Sequence, residues 1–361
     1  MYILYIDVAE RKYPIYIQRG ILSEFGKRIP KTYSRQKIAV ITDDHLKEIY
    51  GEQIERSLQE AGFSTRILSV KPGERSKSLE TAAFLYEELL DFGINRADRI
   101  LAFGGGVVGD LGGFVASTFL RGIPFIQFPT TLLAQVDSSI GGKVAVNLKQ
   151  GKNLVGSFYH PQMVLIDPDL LQTLDKKYFR DGLAEVIKYG AIRDKDLFFR
   201  LLHQYDTEAD LLSDMELIIY RCCGIKKEIV EKDERDKGER MLLNFGHTIG
   251  HGIERVFQYE KYTHGEAVAI GMHEITKRSE KMGKTNPGTA DEIRKILIKY
   301  RLPYQMPDLD IKELLKSIQH DKKSLGEEMH VVLLEEIGKG YVQSIPREAI
   351  HEYVTGKMAE S

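Results

Sequence analysis

The sequence predicts two domains of different class, an α/β domain over residues 1–175 and a mostly α-helical domain over residues 176–361. Three observations carry this. Up to about residue 168, short apolar runs alternate with helical periods, the pattern of parallel βαβ units. From about Asp175 to Lys323 the apolar residues recur at helical spacing with little interruption. A chain of 361 residues also exceeds what one core usually serves.

Residues 2–8 alternate Tyr2, Leu4, Ile6 and Val8 against Ile3, Tyr5 and Asp7, and 13–18 form a second extended stretch, which together read as an opening hairpin. KIAVITDD (37–44) is a buried strand, followed by an amphipathic helix on Leu46, Tyr50, Ile54, Leu58 and Ala61. Residues 64–71 form the next strand and Leu79–Leu90 the next helix, and 99–119 read as strand, glycine turn, helix. Two further short strands fall within 123–135 and 163–168. Helices are then expected over Phe179–Ile192, Leu197–Leu202, Glu208–Val230, Asn244–Phe257, Glu266–Met282 and Ala290–Tyr300. A late hairpin pairs 330–334 with 341–345 around a Gly338–Gly340 turn. The join near Pro168–Lys176 is short, so the domains are expected to share a tight cleft with Glu185 at its mouth.

A formal net charge of −2 offers no global attraction to nucleic acid or to an anionic membrane. The only cysteines, Cys222 and Cys223, are adjacent and lack CxxC spacing; they read as small buried hydrophobes in a reducing compartment. Asp7, Glu10, Arg11 and Lys12 interrupt any signal-peptide core, and no apolar run reaches membrane-spanning length, so a cytoplasmic protein is expected.

Gly104, Gly106 and Gly109 have G-x-G-x-x-G spacing between an apolar strand and a helix, where backbone can approach a pyrophosphate at a helix N-terminus. A tight strand–helix turn is the plainer alternative. The acid expected about 20 residues later is missing, since 123–134 hold no Asp or Glu. Asp43 and Asp44 close an earlier strand and either face a ribose or cap a helix, while Glu74 and Lys77 lie in the loop after the next strand.

Glu185, His247 and His264 are a candidate metal set: two imidazoles and a carboxylate suit zinc, and three ligands leave positions open for substrate. A structural zinc would take four ligands, often thiolates, and this chain has two cysteines. His247 and His251 lie at i and i+4 on one helix face, so both bind one metal, or one binds while the other transfers protons, or they are ordinary core and capping groups. Gly246, Gly250, Gly252 and Gly265 beside them suggest close backbone approach to a ligand. Asp137 and Lys143, Lys152 and Asn153, Lys188, Lys226 and Arg240, and Lys322 and Lys323 are scattered charges. Singly each lysine reads as solvated surface; converging, they would hold a substrate with more than one anionic group.

The stretches GGGVVGDLGGFVASTFLRGI, FPTTLLAQVDSSIGGKVAVN, GKNLVGSFYHP, GLAEVIKYG, LLNFGHTIGHGIE and HGEAVAIGM resemble the 3-dehydroquinate synthases, a family of sugar phosphate cyclases. The likeness runs over essentially the whole chain, and DSSIGGK is similar to the dehydroquinate branch rather than the inosose or valiolone cyclases. The resemblance implies a dehydroquinate synthase-like fold, with a Rossmann-like nucleotide-binding domain and a helical metal- and substrate-binding domain. It implies conversion of 3-deoxy-D-arabino-heptulosonate 7-phosphate to 3-dehydroquinate in the shikimate pathway. The steps are transient oxidation at C5, β-elimination of phosphate, re-reduction, ring opening and aldol closure, with NAD+ and Zn2+ (or Co2+) as cofactors.

Carried over by motif, Glu185, His247 and His264 match the zinc ligands and His251 a proton-transfer residue. Asp137, Lys143, Asn153, Lys188, Lys226, Arg240 and Asn244 match substrate contacts, joined by one of Lys322 and Lys323. Arg121 matches an arginine offered across a homodimer interface to the phosphate. The NAD+ set implied is Gly105, Gly106, Val107, Val108, Gly109, Asp110, Thr130, Thr131, Lys152, Leu170, Leu171, Gln172 and Thr173, with Asp43, Glu74, Lys77 and Lys143. Asp236 departs from a frequent glutamate, a shorter reach for any base, and Asp181 from an asparagine found near the nicotinamide in some relatives. Other sugar phosphate cyclases, an NAD-linked polyol dehydrogenase and a non-catalytic ligand sensor are the rival readings.

Overall fold

In a computed structural model of the chain, residues 1–8, 11–32, 34, 36–236, 238–321 and 328–356 are described, and Lys322 and Lys323 lie outside them. The chain divides into two compact units, Met1–Asp175 with Asp214–Glu231, and Lys176–Ser213 with Lys232–Ser361. The expected division at 175/176 therefore needs correction over Asp214–Glu231, which packs with the first unit. Tyr220 stacks on Tyr2 at 4.6 Å, Glu231 accepts from the Asp7 amide at 2.7 Å, and the Cys223 thiol donates to Gln135 O at 3.4 Å.

The first unit carries β1 (Tyr2–Val8), β2 (Arg11–Ile17), β3 (Lys37–Asp43), α1 (Asp44–Glu60), β4 (Ser64–Val70), α2 (Leu79–Asp91), β5 (Arg99–Gly104), α3 (Gly106–Thr118), β6 (Phe125–Pro129), β7 (Lys143–Leu148), β8 (Gly151–Phe158) and β9 (Met163–Ile166). Seven strands form one sheet in the order β1-β2-β9-β6-β5-β3-β4; β1 and β2 pair antiparallel and every other pair is parallel. The apolar run of β3 divides by parity. Ile38 and Val40 pack with Ile54 and Leu58 of α1, while Ala39 and Ile41 pack with Leu85 and Leu89 of α2 and Leu111 and Val115 of α3. A strand covered on both faces has no polar side to show, which is why its centre, Ile38–Ile41, is an unbroken apolar run. From β3 the chain moves to β4 on one side and then to β5 on the other, which makes the carboxyl ends of β3 and β5 a topological switch point.

Lys143, Lys152 and Asn153, given by the sequence only as scattered polar positions, lie on the hairpin β7–β8, which pairs Lys143 with Phe158 and Val146 with Val155. Val144 and Val146 reach the core under α3, where Gly113 leaves room for the Val144 side chain.

In the second unit run α4 (Lys176–Arg193), α5 (Lys195–His203) and α6 (Glu208–Ser213); α7 (Met215–Lys232) is the helix that belongs to the first unit. The unit continues with α8 (His247–Val256), α9 (His264–Lys281), α10 (Thr289–Lys299), α11 (Ile311–Asp321), the hairpin β10 (Glu328–Glu336) and β11 (Lys339–Pro346), and α12 (Ile350–Thr355). The helix expected over Glu208–Val230 is broken at Asp214, and α11 and α12 lie beyond the helices expected from periodicity. α9 begins with a capping box: Thr263 Oγ1 accepts from the Glu266 amide at 3.3 Å and Glu266 Oε2 accepts from the Thr263 amide at 2.9 Å. Both α4 and α9 are buried on nearly all sides, as the centre of a helical unit must be.

Candidate active site

Three helices of the second unit bring the predicted metal ligands together. Glu185 on α4 is fully buried, and its Oε1 lies 3.6 Å from His247 Nε2 and 3.6 Å from His264 Nε2. The three donor atoms all lie within 4.8 Å of one another. Bonds of about 2.0–2.1 Å to a tetrahedral zinc imply ligand–ligand edges of about 3.3–3.4 Å, so two of the three edges are already close to that length. The donor set, two imidazoles and one carboxylate, fits a divalent metal with open positions.

The surroundings prepare each ligand. His247 Nδ1 lies 3.0 Å from Phe245 O; donating there leaves the Nε2 lone pair facing Glu185. Burial, against the opposing pull of Glu185, pushes the His247 pKa down to about 3, so its ring is neutral. His264 behaves oppositely: burial resists its charge, but hydrogen bonds with Glu185 and Glu254 outweigh this and hold it well above the ordinary histidine range. Lys188, one turn after Glu185 and 1% exposed, forms an ion pair with Glu185 Oε2. The His251 ring stands 5.3 Å from His247 and 5.9 Å from His264 between centroids.

The glycines near the histidines make room for neighbouring helices, and this corrects the expectation of approach to a ligand. A Cβ on Gly246 would stand 2.7 Å from Val268 O, one on Gly271 2.0 Å from Gly246 O, and one on Gly250 3.1 Å from Ala267 O. These contacts bring α8 and α9 together backbone to backbone and set His247 and His251 beside His264. A Cβ on Gly252 would meet Leu314 of α11 at 2.6 Å, and one on Gly265 would meet Asp181 O of α4 at 2.1 Å. Asp181 Oδ1 also accepts from the Gly265 amide, and burial raises its carboxyl above the usual range with Thr263, His264 and Gly265 opposing.

Arg240 and Asn244 share the 3₁₀ segment Glu239–Asn244 that leads into α8. Arg240 is buried and its Nη1 donates to Glu234 O at 2.5 Å, while Asp233 Oδ2 accepts from the Arg240 amide at 3.1 Å. Asp236 lies in the same loop with φ +60°.

The first unit gathers a second group. The three glycines at the end of β5 form the expected strand–helix turn at the switch point, with Gly105 as the N-cap of α3. A Cβ on Gly105 would stand 3.0 Å from Thr131 Cγ2, one on Gly106 3.1 Å from Ser138 Oγ, and one on Gly109 2.8 Å from Gln127 Oε1. Gly109 is thus needed for packing α3 against β6, while Val107 and Val108 follow in the first turn. Lys77, buried, contacts both Asp110 Oδ2 and Asn153 Oδ1; burial raises the Asp110 carboxyl and Lys77 opposes it. Glu74 Oε1 accepts from Asn147 Nδ2 at 2.7 Å. Asp43 caps α1, accepting from the Leu46 amide at 2.9 Å, so the plainer of its two expected roles is realised at the switch point.

Lys226 on α7 is buried and donates to Asp137 O at 2.6 Å and Asp137 Oδ1 at 2.7 Å. Thr130 closes β6 with its amide donating to Gly104 O at 3.1 Å, and Thr131 Oγ1 accepts from the Ala134 amide at 3.2 Å. Leu170 and Leu171 are buried, Gln172 and Thr173 end the same 3₁₀ turn, and Tyr50 Oη meets Thr173 Oγ1 at 2.6 Å. Lys143 is exposed on β7 and Lys152 half-buried on β8. Arg121 is exposed at φ +68°, between Leu120 at +50° and Gly122 at +112°. Glu254 is the neighbouring charged group that sequence reasoning missed; its place one turn after His251 in GHGIE was the available signal.

The family described as 3-dehydroquinate synthase N-terminal matches residues 67–181, and that described as 3-dehydroquinate synthase C-terminal matches 182–324. The 3-dehydroquinate synthase of Clostridium beijerinckii is 52% identical over 340 residues, covering 94% of this chain and 97% of its own. The chain belongs to the 3-dehydroquinate synthase family. An Enterococcus faecalis member is 46% identical over 351 residues, covering 97% of this chain and 98% of its own. Among solved structures, 2-deoxy-scyllo-inosose synthase complexed with carbaglucose-6-phosphate, NAD+ and Co2+ has a TM-score of 0.86 at 26% identity, covering 98% of this chain and 100% of that one. The 2-epi-5-epi-valiolone synthase from Streptomyces hygroscopicus, with NAD+ and Zn2+ bound, gives 0.85 at 25% identity, covering 97% of this chain and 98% of that one. Glycerol dehydrogenase from Schizosaccharomyces pombe, at 0.66 and 16% identity over 97% of this chain and 90% of that one, shares the fold.

Proposed function

We propose that this protein converts 3-deoxy-D-arabino-heptulosonate 7-phosphate to 3-dehydroquinate and phosphate. The observation that carries the reading is one carboxylate oxygen standing 3.6 Å from two imidazole nitrogens in a member of this family. In this reading Glu185, His247 and His264 hold a zinc or cobalt ion, and the switch point of the first unit holds NAD+ through Gly105–Asp110, Thr130, Thr131, Lys77 and Lys152. When bound, the metal supplies Lewis-acid polarisation of a substrate hydroxyl and NAD+ supplies reversible hydride acceptance.

The chain's own residues position and neutralise charge. His251, a ring beside both histidine ligands, moves protons to and from substrate oxygens. Lys188, Lys226, Arg240, Lys143, Asn153 and Asn244 bind the carboxylate, phosphate and hydroxyl groups. Lys188 and Lys226 are desolvated and already paired, so they present donors with little reorganisation. Arg121 serves the phosphate of a partner chain in a cytoplasmic homodimer; its exposure and left-handed backbone fit a residue held outward. The first unit acts as the NAD+-binding domain and the second as the metal- and substrate-binding domain.

Incubation with NAD+, zinc or cobalt and the heptulosonate phosphate tests this. One phosphate released per substrate without net NADH is expected. Absence of phosphate release overturns the reading, and stoichiometric NADH from a simple polyol replaces it with a dehydrogenase.

A further inference from the structure

Glu254 is a 6%-exposed carboxylate one turn after His251 on α8. Its Oε2 lies 3.4 Å from His264 Nδ1, on the side of the ring away from Glu185. With His251 and His264 it makes a second set of three donor atoms, all within 4.8 Å of one another. Two roles compete for this group.

As a second metal site it would share His264 with the first. His264 would then give Nε2 to one ion and Nδ1 to another, and an imidazole can do so only after losing its last ring proton. As a hydrogen-bond acceptor Glu254 asks for nothing but an Nδ1–H. That tautomer leaves the Nε2 lone pair facing Glu185. We propose that Glu254 is a positioning residue for His264: it fixes the tautomer, holds the ring plane and strengthens Nε2 as a metal donor through its negative charge. This rests on the reading of Glu185, His247 and His264 as metal ligands.

Two further observations support it. His264 is the first residue of α9, where the positive end of the helix dipole disfavours a charged ring and favours a carboxylate beside it. The other imidazole, His247, has the neutral carbonyl of Phe245 behind its Nδ1 at 3.0 Å. The two histidines are therefore unequal ligands, and the charge-assisted one is the more exposed, with 30% of its side chain accessible against 12%. The carboxylate compensates for a ring that packing alone holds less firmly.

The test uses the full chain as wild type, Glu254→Gln and Glu254→Ala. Zinc affinity is read by competition with a chromophoric chelator, alongside the visible spectrum of the Co2+ form and thermal unfolding of the zinc-free proteins. Glu254→Ala should weaken zinc binding about 10–100-fold, the range for loss of an outer-shell partner. Glu254→Gln keeps an acceptor without the charge; it should fall between the two, with a shifted Co2+ spectrum and an unchanged zinc-free midpoint. Wild-type affinity and spectrum in both variants overturn the proposal, as does a Glu254→Gln affinity loss matched by a lower zinc-free midpoint, which marks a merely structural role. Two zinc ions per wild-type chain, falling to one in Glu254→Ala, establish the second metal site instead. No zinc bound by wild type overturns the metal reading itself, an outcome distinct from all of these.

Discussion

Replacing Gly265 by alanine should separate Glu185 from His264, two of the proposed metal ligands. The new Cβ would stand 2.1 Å from Asp181 O and 2.8 Å from Asp181 Cα, about 1.3 Å inside the 3.4 Å at which ordinary contact begins. Both partners are backbone atoms, so no side chain can rotate away. The shift has to be shared between α4, which carries Glu185, and α9, which begins at His264. Metal–ligand distances tolerate deviations of about 0.2 Å, several-fold less than the displacement required. Zinc affinity should fall about 100-fold or more, at or beyond the top of the range for an outer-shell change. Overpacking should cost about 1–3 kcal/mol of stability. The control is Gly224→Ala in α7, where a Cβ meets nothing within 4 Å and the helical propensity of alanine should add about 0.5–1 kcal/mol. Chelator competition and thermal unfolding of the two variants decide the matter. Wild-type zinc affinity in Gly265→Ala would refute the claim that backbone contact at this crossing sets the ligand spacing.

His264→Ala should abolish zinc binding and turnover while leaving the far-ultraviolet circular dichroism unchanged, because each unit has its own core; loss of that signal would make the metal structural. Metal binding should release a proton near neutral pH. His264 is held well above the ordinary range and is charged in chelator-treated protein, whereas His247, at about 3, is already neutral. Apparent zinc affinity should therefore rise with pH until His264 has lost its proton, and calorimetry in buffers of different ionisation enthalpy would read a released proton near one and attribute none to His247. The Cys223 thiol, pushed up to about 12 by burial, should resist iodoacetamide at pH 8 until the protein is unfolded. Rapid alkylation of the native chain would show that α7 opens.

The βαβ pattern of the first unit was legible because both-face burial leaves the centre of a strand like β3 an apolar run, Ile38–Ile41. The candidate metal set could be singled out because His247, His251 and His264 are the histidines that adjoin glycines in the sequence. The glycines themselves were misjudged: a sequence shows that backbone must come close, but not whether the visitor is a ligand or another helix. The hairpin β7–β8 was missed because β8, from Gly151 to Phe158, is mostly exposed and so lacks the alternation that marks a strand. The allegiance of α7 could not be read from periodicity, since an amphipathic helix names no partner; contacts such as the Tyr2–Tyr220 stack and the Lys226–Asp137 bond decide it. Glu254 was passed over because a glutamate in a helix is ordinary until a histidine of the next helix, ten residues on, is found behind it.

The return of residues 214–231 to the first unit has a consequence for how the protein is made. At about 5–20 residues per second, the ribosome delivers Asp175 several seconds before the helix that supplies Lys226 and the thiol beside Gln135. During that interval the nascent α/β layer waits with Asp137 lacking its ammonium and with Tyr2 uncovered, a window in which chaperones have something to hold. Excision at residue 175 would make that waiting state permanent, so a separable fragment of the first unit has to be built by grafting 214–231 back onto it.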